Sequence, residues 1–248
     1  MDALAEARAL VAGARSIAVL TGAGVSAESG IPTFRDALTG LWSRFRPEEL
    51  ATPEAFERDP RTVWEWYAWR RTLVDRASPN PAHVALAEME RRVPGFTLIT
   101  QNVDGLHERA GSRALIELHG NISRSKCFRE GRALQDRDLV AGVPPTCVHC
   151  GAWARPDVVW FGEALDGDRI DRAFAAAQAC DVFISIGTSG LIEPAASLPF
   201  EALASGAAVV EINPMATPLT KRATVVIAQA AGEAVPLLVP AAARNTMN

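Results

Sequence analysis

Three short segments of this chain bring together glycines, an amide, a carboxylate and two histidines. They read GAGVSAESGIPTFRD at residues 22–36, TQNVDGLHERAG at residues 100–111 and ELHGNISRSKC at residues 117–127. Glycines let a backbone approach a pyrophosphate closely, and the start of a helix favours an anion. Breaking the bond between a ribose and its base builds positive charge on the sugar. Polar groups and a base that titrates near neutral pH assist that step, so the segments indicate a dinucleotide site that acts on a sugar.

The catalytic candidates are four polar residues of the second and third segments, Gln101, Asn102, Asp104 and His119. Asn102 and Asp104 alternate along an extended segment, so both side chains can point into one pocket. An isolated histidine would more often be a core-edge residue bonded to backbone. The motif ELHGN after TQNVDGLH instead favours a general base at His119. We interpret His107 as structural, holding the loop that carries Asp104.

Three common enzyme patterns are incomplete or absent in the sequence. The glycines depart from G-x-G-x-x-G because Ala27 occupies the third glycine position. A dehydrogenase would also end its second strand with an acid near residues 41–46, where this chain has an insertion. A zincin helix would need a second histidine at Gly111, and no G-x-S-x-G elbow occurs. Hydride transfer, zinc proteolysis and serine hydrolysis are therefore disfavoured.

The elements that must position these segments are strands that alternate with helices. Helical patterns, such as those at residues 81–92 and 170–179, lie between several of the apolar runs. The apolar runs occupy residues 16–20, 96–100, 114–118, 181–186, 208–212 and 224–227. This alternation predicts an α/β fold with a Rossmann-like parallel sheet covered on both faces. Ligands bind such sheets beyond the carboxyl ends of the strands, where all three segments lie.

Two stretches break this alternation and predict a smaller inserted module. Residues 37–80 are helical and rich in tryptophan, and residues 121–157 contain clustered cysteines and few long apolar runs. We assign residues 1–36, 81–120 and 158–248 to the Rossmann-like domain. The module then combines a helical segment with a segment that is similar to a zinc ribbon.

The composition is that of an ordinary globular protein without a nucleic-acid-binding face. The chain has 248 residues, 48% of them hydrophobic, and a net charge of −4 with acids and bases interspersed. The opening residues 1–15 are spaced like an amphipathic helix, and their charges interrupt any secretory apolar core. Three of the four cysteines are clustered like metal ligands, which favours a reducing compartment. We expect a cytoplasmic protein that binds neither nucleic acid nor membrane.

The order and wording of the three segments resemble the sirtuin family, the NAD-dependent protein-lysine deacylases, from about residue 16 to residue 239. The extension of the glycine loop to GIPTFRD is the most specific part of the match. The resemblance implies NAD as cofactor, with Asp104 and Ile31 at the nicotinamide amide. It also implies that Gln101 and Asn102 reach the ribose or an ordered water. The other implied NAD contacts are Gly22, Ala23, Gly24, Thr33, Phe34, Arg35, Gly187, Thr188, Ser189, Asn213 and Ala234.

The resemblance also implies a mechanism, in which the carbonyl oxygen of an acyl-lysine attacks C1′ as nicotinamide leaves, giving an alkylimidate. His119 then activates the ribose diol, so that the 2′-hydroxyl attacks the imidate carbon, and water finally releases free lysine and O-acyl-ADP-ribose. The segment VVWFGE at residues 158–163, with Val159, Phe161 and Gly162, matches the strand that pairs with the substrate peptide by β-strand addition. An ADP-ribosyltransferase or an NAD glycohydrolase would share the NAD site. A non-enzymatic NAD-sensing module is the alternative from another class.

The segment VWEWYAWRR places Tyr67 and Arg70 three residues apart, on one face of a helix. Arg70 interrupts a largely apolar row, where an arginine needs a carboxylate partner. The Tyr-x-x-Arg pattern resembles the sirtuin subclass that removes succinyl, malonyl or glutaryl groups. Ala51 matches the small residue that makes room for the longer acyl chain. The alternative is that Arg70, like Arg71, lies on a solvated helix face, and removal of acetyl groups stays open.

Clustered cysteines predict a structural zinc site. Cys147 and Cys150 form a C-x-x-C pair, and Cys127 begins a second half that has Glu130 where a fourth cysteine would stand. Zinc accepts a carboxylate or a histidine as its fourth ligand. His149 lies between the paired cysteines, so position favours Glu130. The alternative is a decayed site whose module is held by packing alone.

Overall fold

The computed structural model describes residues 2–33 and 46–239. Its helices are α1 (Ala3–Gly13), α2 (Ala23–Ala27), α3 (Pro47–Leu50), α4 (Pro53–Arg58), α5 (Pro60–Arg76), α6 (Pro81–Arg92), α7 (Leu106–Arg109), α8 (Gly167–Ala179), α9 (Leu198–Ala204) and α10 (Ala231–Leu238). Its strands are β1 (Ser16–Thr21), β2 (Gly95–Thr100), β3 (Leu115–Glu117), β4 (Gly120–Cys127), β5 (Ala133–Leu134), β6 (Leu139–Val140), β7 (Thr146–Cys147), β8 (Ala154–Val158), β9 (Val182–Ile186), β10 (Ala208–Ile212) and β11 (Val225–Ile227). Among these described residues, no helix combines the length and the apolar character needed to cross a bilayer.

Six parallel strands form the main sheet, in the order β11-β10-β9-β1-β2-β3. α1, α6 and α10 cover one face, and α8 and α9 cover the other. The strands are near-continuous apolar runs because both faces of the sheet are buried, and all five residues of β9 are buried. The predicted α/β fold class is confirmed. Each of the six predicted strands is present, with ends within one residue of the predicted ones.

α8 begins three residues earlier than the helix that apolar spacing predicts from residue 170. The side chain of Asp166 caps it, accepting a hydrogen bond from the backbone nitrogen of Arg169 at 3.0 Å. Such a cap satisfies one of the donors that the first turn of a helix leaves open. The cap is a polar side chain outside the apolar period, so the spacing alone misses the first turn.

The carboxyl ends of parallel strands point to the same edge of the main sheet. The residues within two positions of the ends of β1, β2, β3, β9 and β10 therefore meet there. These residues are Gly22, Gln101, His119, Gly187 and Asn213. The three chemically rich segments consequently converge on one edge.

A three-stranded antiparallel sheet, β5-β4-β8, and a strand pair, β6-β7, lie outside the main sheet. Helices α4 and α5 pack against the three-stranded sheet through an aromatic cluster of Phe56, Trp66, Tyr67 and Trp160. We propose residues 37–80 and 121–157 as the smaller module and the remainder as the NAD-binding domain. The support is that the small sheet shares no hydrogen-bonded strand with the main sheet among the described residues.

Two buried histidines join α6 to α7, the short helix that follows β2. His83 Nδ1 lies 2.9 Å from the side-chain oxygen of Asn80, and His107 Nε2 lies 2.9 Å from the hydroxyl of Thr21. The two ring centroids are 4.7 Å apart. Burial lowers the pKa of His83 to about 4 and the pKa of His107 to about 3. Both rings are therefore neutral in the folded protein at pH 7.

We expect the free energy of unfolding to fall by about 2 kcal/mol per buried histidine between pH 7 and pH 5. In the unfolded chain each ring takes up a proton below its ordinary pKa of about 6.5, whereas the folded protein excludes that proton until lower pH. Urea denaturation at pH 7, 6 and 5 measures how the free energy of unfolding changes with pH. His107→Gln should remove the contribution of one proton from this dependence. An equal pH dependence in the wild-type protein and in His107→Gln would contradict this assignment.

Candidate active site

The glycine loop after β1 packs directly against the loop after β9. Gly24 N donates to the carbonyl of Gly187 at 2.8 Å, and Gly22 N donates to the carbonyl of Ile186 at 3.0 Å. A Cβ added at Gly22 would lie 2.8 Å from the Cα of Thr188. One added at Gly24 would lie 2.8 Å from the oxygen of Gly187. The close contact between the two loops therefore requires glycine at both positions. This is a second reason for the glycines, besides the close approach of a pyrophosphate to the backbone.

Thr188 connects the ends of three strands. Its hydroxyl accepts a hydrogen bond from Gln101 Nε2 at 2.9 Å, and its carbonyl accepts one from Asn213 Nδ2 at 2.8 Å. Gly187, Thr188 and Ser189 are all partly buried in the loop after β9. The structure therefore brings together the site residues predicted after β2, β9 and β10.

Ser26 is not among the predicted site residues, but it links two that are. Its hydroxyl donates to Asp104 Oδ2 at 2.7 Å and accepts from Asn102 Nδ2 at 3.1 Å. Asn102 also donates to the carbonyl of Gly22 at 3.0 Å, and Asp104 accepts from Leu106 N at 2.9 Å. Burial raises the pKa of the Asp104 carboxyl, and its two hydrogen bonds oppose the shift. The one sequence signal for Ser26 was a serine between apolar residues in the glycine loop.

His119 lies just beyond β3 in the geometry of a neutral base. Its Nδ1 lies 2.9 Å from the backbone carbonyl of Gln101. A carbonyl only accepts hydrogen bonds, so Nδ1 carries the ring proton and Nε2 keeps its lone pair. Burial lowers the pKa of His119, and the bond to Gln101 opposes that shift. Nε2 has no partner within the described part of the chain, so it can accept a proton from a bound hydroxyl.

Backbone hydrogen bonds attach the VVWFGE segment to the base and to the predicted acyl region. Val159 N donates to the carbonyl of His119 at 2.9 Å, and Phe161 N donates to the carbonyl of Ala51 at 2.9 Å. Val159 is partly buried, and Phe161 and Gly162 are exposed. Ala51 is buried against the aromatic cluster. The residues predicted to bind the peptide and the acyl chain are therefore neighbours.

Tyr67 and Arg70 lie on α5 beside this segment. The Arg70 Cζ atom lies 5.0 Å from the ring centroid of Trp66 and 5.7 Å from that of Tyr67. Trp160 Nε1 donates to the Tyr67 hydroxyl at 2.9 Å. Burial raises the pKa of Asp104, and the positive charge of Arg70 is among the influences that lower it. The predicted acyl and nicotinamide regions are thus electrostatically coupled.

The end of the glycine loop is only partly described. Ala23 begins α2 and is partly buried, and Ile31 packs against the aromatic cluster. Thr33 is the last residue described before the gap. The predicted contacts Phe34 and Arg35 lie outside the described residues.

Ala234 lies in the core of the main sheet. It has 0% exposed surface, because it faces the sheet from the inner side of α10. Its small side chain lets α10 pack closely on the sheet. Its contact with NAD stays a prediction.

Two turns of equal backbone geometry bring three cysteine thiols together. Gly131 N donates to the carbonyl of Cys127 at 2.9 Å, and Gly151 N donates to the carbonyl of Cys147 at 2.8 Å. The two glycines have φ angles of +67° and +70°. The Sγ atoms of Cys127, Cys147 and Cys150 all lie within 4.8 Å of one another. Tetrahedral zinc with bonds of about 2.3 Å places its sulfur ligands roughly 3.8 Å apart, so the three thiols fit this metal.

Glu130 occupies the position in the first turn that Cys150 occupies in the second. Its carboxylate lies 3.5 Å from Arg132 and outside the group of three thiols. His149 does not replace it, since its Nε2 lies 3.5 Å from Asp138. The structure therefore assembles three of the four predicted ligands. Glu130 has the sequence position of a fourth ligand, but its carboxylate pairs with Arg132.

We expect one structural zinc ion per chain, bound more weakly than a site with four cysteines would bind it. Glu130→Cys adds a fourth thiolate and should raise the chelator concentration needed to remove the zinc by roughly tenfold. Glu130→Gln should lower that concentration, and His149→Gln should not change it. Elemental analysis and thermal unfolding during EDTA titration provide the measurements. Less than about half an equivalent of zinc in the purified protein would show that these residues do not form a structural zinc site.

Comparison with known proteins agrees with this geometry over most of the chain. The sequence pattern of the Sir2 family matches residues 22–194. An NAD-dependent protein deacylase from Aquifex aeolicus (strain VF5) is 55% identical over 207 residues, which are 83% of this chain and 86% of that protein.

Solved structures extend the likeness to the fold. A complex of a Sir2 homolog with NAD has a TM-score of 0.88 and 49% identity, covering 95% of this chain and 92% of that one. A Sir2 homologue variant in complex with 2′-O-acetyl ADP ribose has a TM-score of 0.87 and 49% identity, covering 94% of each chain. With both the family pattern and the near-complete coverage in agreement, this chain belongs to the Sir2 family.

Proposed function

We propose that this protein is an NAD-dependent protein-lysine deacylase that yields nicotinamide, O-acyl-ADP-ribose and free lysine. The observation that carries the proposal is the neutral His119, whose Nε2 is available as a base beside Gln101 and the VVWFGE segment. A relative at 55% identity is an NAD-dependent protein deacylase. Homologues have also been solved with NAD and with 2′-O-acetyl ADP ribose, the co-substrate and the kind of product that this reaction requires.

The proposed roles follow from the hydrogen-bonding capacity of each side chain. Bound NAD supplies a ribose carbon that becomes electrophilic as nicotinamide leaves. Asp104 and Ile31 hold the nicotinamide amide, and Asn102 and Gln101 orient the ribose. Ser26 fixes Asn102 and Asp104 relative to each other. His119 Nε2 then accepts a proton from a ribose hydroxyl, which makes that oxygen a nucleophile.

An acidic acyl group is the substrate that Tyr67 and Arg70 favour. A guanidinium binds a carboxylate through two parallel hydrogen bonds, and hydrogen bonds to charged groups contribute about 1.5–3 kcal/mol. We therefore propose succinyl-, malonyl- or glutaryl-lysine as the preferred class, with acetyl-lysine as a poorer substrate. An ADP-ribosyltransferase or a glycohydrolase needs no such acyl pocket, and an NAD sensor needs no base.

Acylated lysines would be presented on proteins or peptides that add a strand to the VVWFGE segment. Pairing through the backbone tolerates many sequences, so we expect broad peptide selectivity. Related Sir2 proteins have been solved with p53 peptides, which supports protein substrates for this chain. The cluster of three thiols suits a reducing compartment, and we propose the cytoplasm.

The acid limb of kcat/KM is expected below pH 6.5. The base must be neutral to act, and burial lowers the pKa of His119, so activity should persist as pH falls through 6.5 and decline only at lower pH. A pH profile between 5 and 9 with a saturating NAD concentration gives the measurement. An acid limb above pH 7 would show that a different group controls the reaction.

A product assay tests the function. The protein is incubated with NAD and matched acetyl-, malonyl- and succinyl-lysine peptides, and the products are weighed by mass spectrometry. We expect O-acyl-ADP-ribose in equal amount to deacylated peptide. Nicotinamide release without acyl-ADP-ribose would indicate a glycohydrolase, and a peptide heavier by one ADP-ribose would indicate a transferase. Absence of all three reactions would overturn the proposal.

A further inference from the structure

Trp160 is held rigidly between the VVWFGE segment and α5. The guanidinium carbon of Arg155 lies 3.2 Å from the centroid of the Trp160 ring. The backbone nitrogen of Trp160 donates to Glu163 Oε2 at 2.8 Å. Arg155 and Glu163 form an ion pair, with Arg155 Nη2 2.9 Å from Glu163 Oε2. Trp160 and Arg155 are almost completely buried. The indole therefore has one orientation, set by a charge pair below it and by packing around it.

This orientation determines how Tyr67 uses its hydroxyl. The indole Nε1 of Trp160 donates to the Tyr67 oxygen at 2.9 Å, and an indole nitrogen can only donate. The phenol oxygen must accept that bond, and it also accepts one from the guanidinium of Arg70, which likewise only donates. The phenol's own proton is therefore left to donate to another group. Burial raises the pKa of Tyr67, so the phenol keeps this proton at neutral pH. Tyr67 is therefore a fixed hydrogen-bond donor.

We propose that Trp160 is a positioning residue for acyl specificity, which directs the Tyr67 O–H at the carboxylate of an acidic acyl group. The inference rests on the proposed deacylase function and concerns only which acyl groups are preferred. A carboxylate only accepts hydrogen bonds, so it matches a donor whose polarity is fixed. Arg70, on the same face of α5, supplies the opposite charge. An acetyl group carries no second oxygen for this donor and gains nothing from it.

A double-mutant cycle between Trp160 and Tyr67 tests the proposal. The measured quantity is the ratio of kcat/KM for succinyl-lysine peptide to kcat/KM for acetyl-lysine peptide. Tyr67→Phe removes a bond to a charged group and should lower the ratio by about 10- to 100-fold. Trp160→Phe should lower it by roughly 3- to 10-fold, and the double variant should be no worse than Tyr67→Phe alone. Additive losses would overturn the coupling.

The chain supplies a matched control in Trp66, which is equally buried and contacts the Tyr67 ring at a centroid distance of 4.6 Å. Its Nε1 bonds no group within the described residues. Trp66→Phe removes the same atoms beside the same tyrosine but no hydrogen bond to it, and phenylalanine keeps an aromatic ring under Arg70, so the ratio should change less than it does in Trp160→Phe. Equal losses in Trp66→Phe and Trp160→Phe would overturn the inference and leave the deacylase proposal intact. A wild-type protein inactive on both peptides would instead reject the function itself.

Tyr67 is the only tyrosine of the chain, which permits a test independent of catalysis. Protein labelled with 3-fluorotyrosine gives one fluorine resonance in the NMR spectrum. Succinyl-lysine peptide should shift this resonance, and acetyl-lysine peptide should not. The indole N–H resonance of Trp160 in wild-type protein should move in Tyr67→Phe, a readout that remains should Trp160→Phe fail to fold. A fluorine resonance that responds equally to both peptides, or an indole resonance that does not move, would overturn the proposal.

Discussion

Replacing His119 by alanine is expected to abolish acyl transfer while leaving the protein folded. General-base catalysis contributes about 100- to 10,000-fold, and the variant removes the ring whose Nε2 would accept the proton. The side chain is partly buried and makes one described hydrogen bond, so its removal should cost little stability. Steady-state deacylation of a succinyl-lysine peptide and a thermal unfolding curve provide the two measurements.

The partial reactions separate the base from a merely structural histidine. In the implied mechanism nicotinamide leaves before His119 acts, so His119→Ala should still exchange labelled nicotinamide into NAD in the presence of acyl peptide. His149→Ala, at an exposed position outside the site, should retain the full reaction. If His119→Ala turned over at a near-wild-type rate, the base would have to be another residue. If exchange were lost together with turnover, His119 would be needed to hold NAD rather than to move a proton.

The strands that position the site can be predicted from the sequence, because the apolar pattern of each strand is local. Each main-sheet strand is buried on both faces and therefore reads as a continuous apolar run bounded by polar turns. Once those runs are assigned to parallel strands, Gln101 and His119 must meet at the carboxyl edge. Topology alone does not supply the tautomer of His119, which depends on one hydrogen bond of 2.9 Å to the Gln101 carbonyl.

The long-range contacts were not predictable from one sequence. Ser26 forms hydrogen bonds with Asn102 and Asp104, although it lies 76 and 78 positions before them along the chain. No periodicity or motif in the sequence records such a pairing. A single sequence also does not show whether a small residue such as Ala234 lines a ligand or packs a helix on a sheet. The composition of this segment also does not show whether the Glu130 carboxylate pairs with Arg132 or binds a metal.

The alternative interpretation of α5 as a solvated helix face also fails on contacts that the sequence does not reveal. Arg71 is not a free surface cation, because its Nε donates to the carbonyl of Ile122 at 2.7 Å and its guanidinium lies 5.0 Å from the ring centroid of Trp64. Arg71 thus attaches α5 to β4. Arg70 lies over the rings of Trp66 and Tyr67. The two adjacent arginines have the same side chain but different contacts. The same substitution at each position therefore separates the effect of the contacts from the effect of losing a guanidinium.

Replacing Arg70 by methionine is expected to lower desuccinylation by about 100-fold or more while acetyl-lysine turnover survives. The variant keeps an unbranched side chain over the rings but removes the charge and the paired donors that a carboxylate would use, a loss of about 1.5–3 kcal/mol per bond. The positive charge of Arg70 also opposes the burial-driven rise in the pKa of Asp104, so acetyl-lysine turnover should fall somewhat. The measurement is kcat/KM for succinyl- and acetyl-lysine peptides of the same sequence.

Arg71→Met is the control that distinguishes a loss of substrate recognition from a loss of stability. It removes the same guanidinium one position along α5 and breaks the bond to Ile122, so it should lower the unfolding temperature and affect both peptides alike. Arg70→Met should instead change the ratio of the two rates with a smaller loss of stability. Equal losses on both peptides in Arg70→Met would make Arg70 structural, since any effect through Asp104 is shared by the two peptides and only recognition of the distal carboxylate separates them.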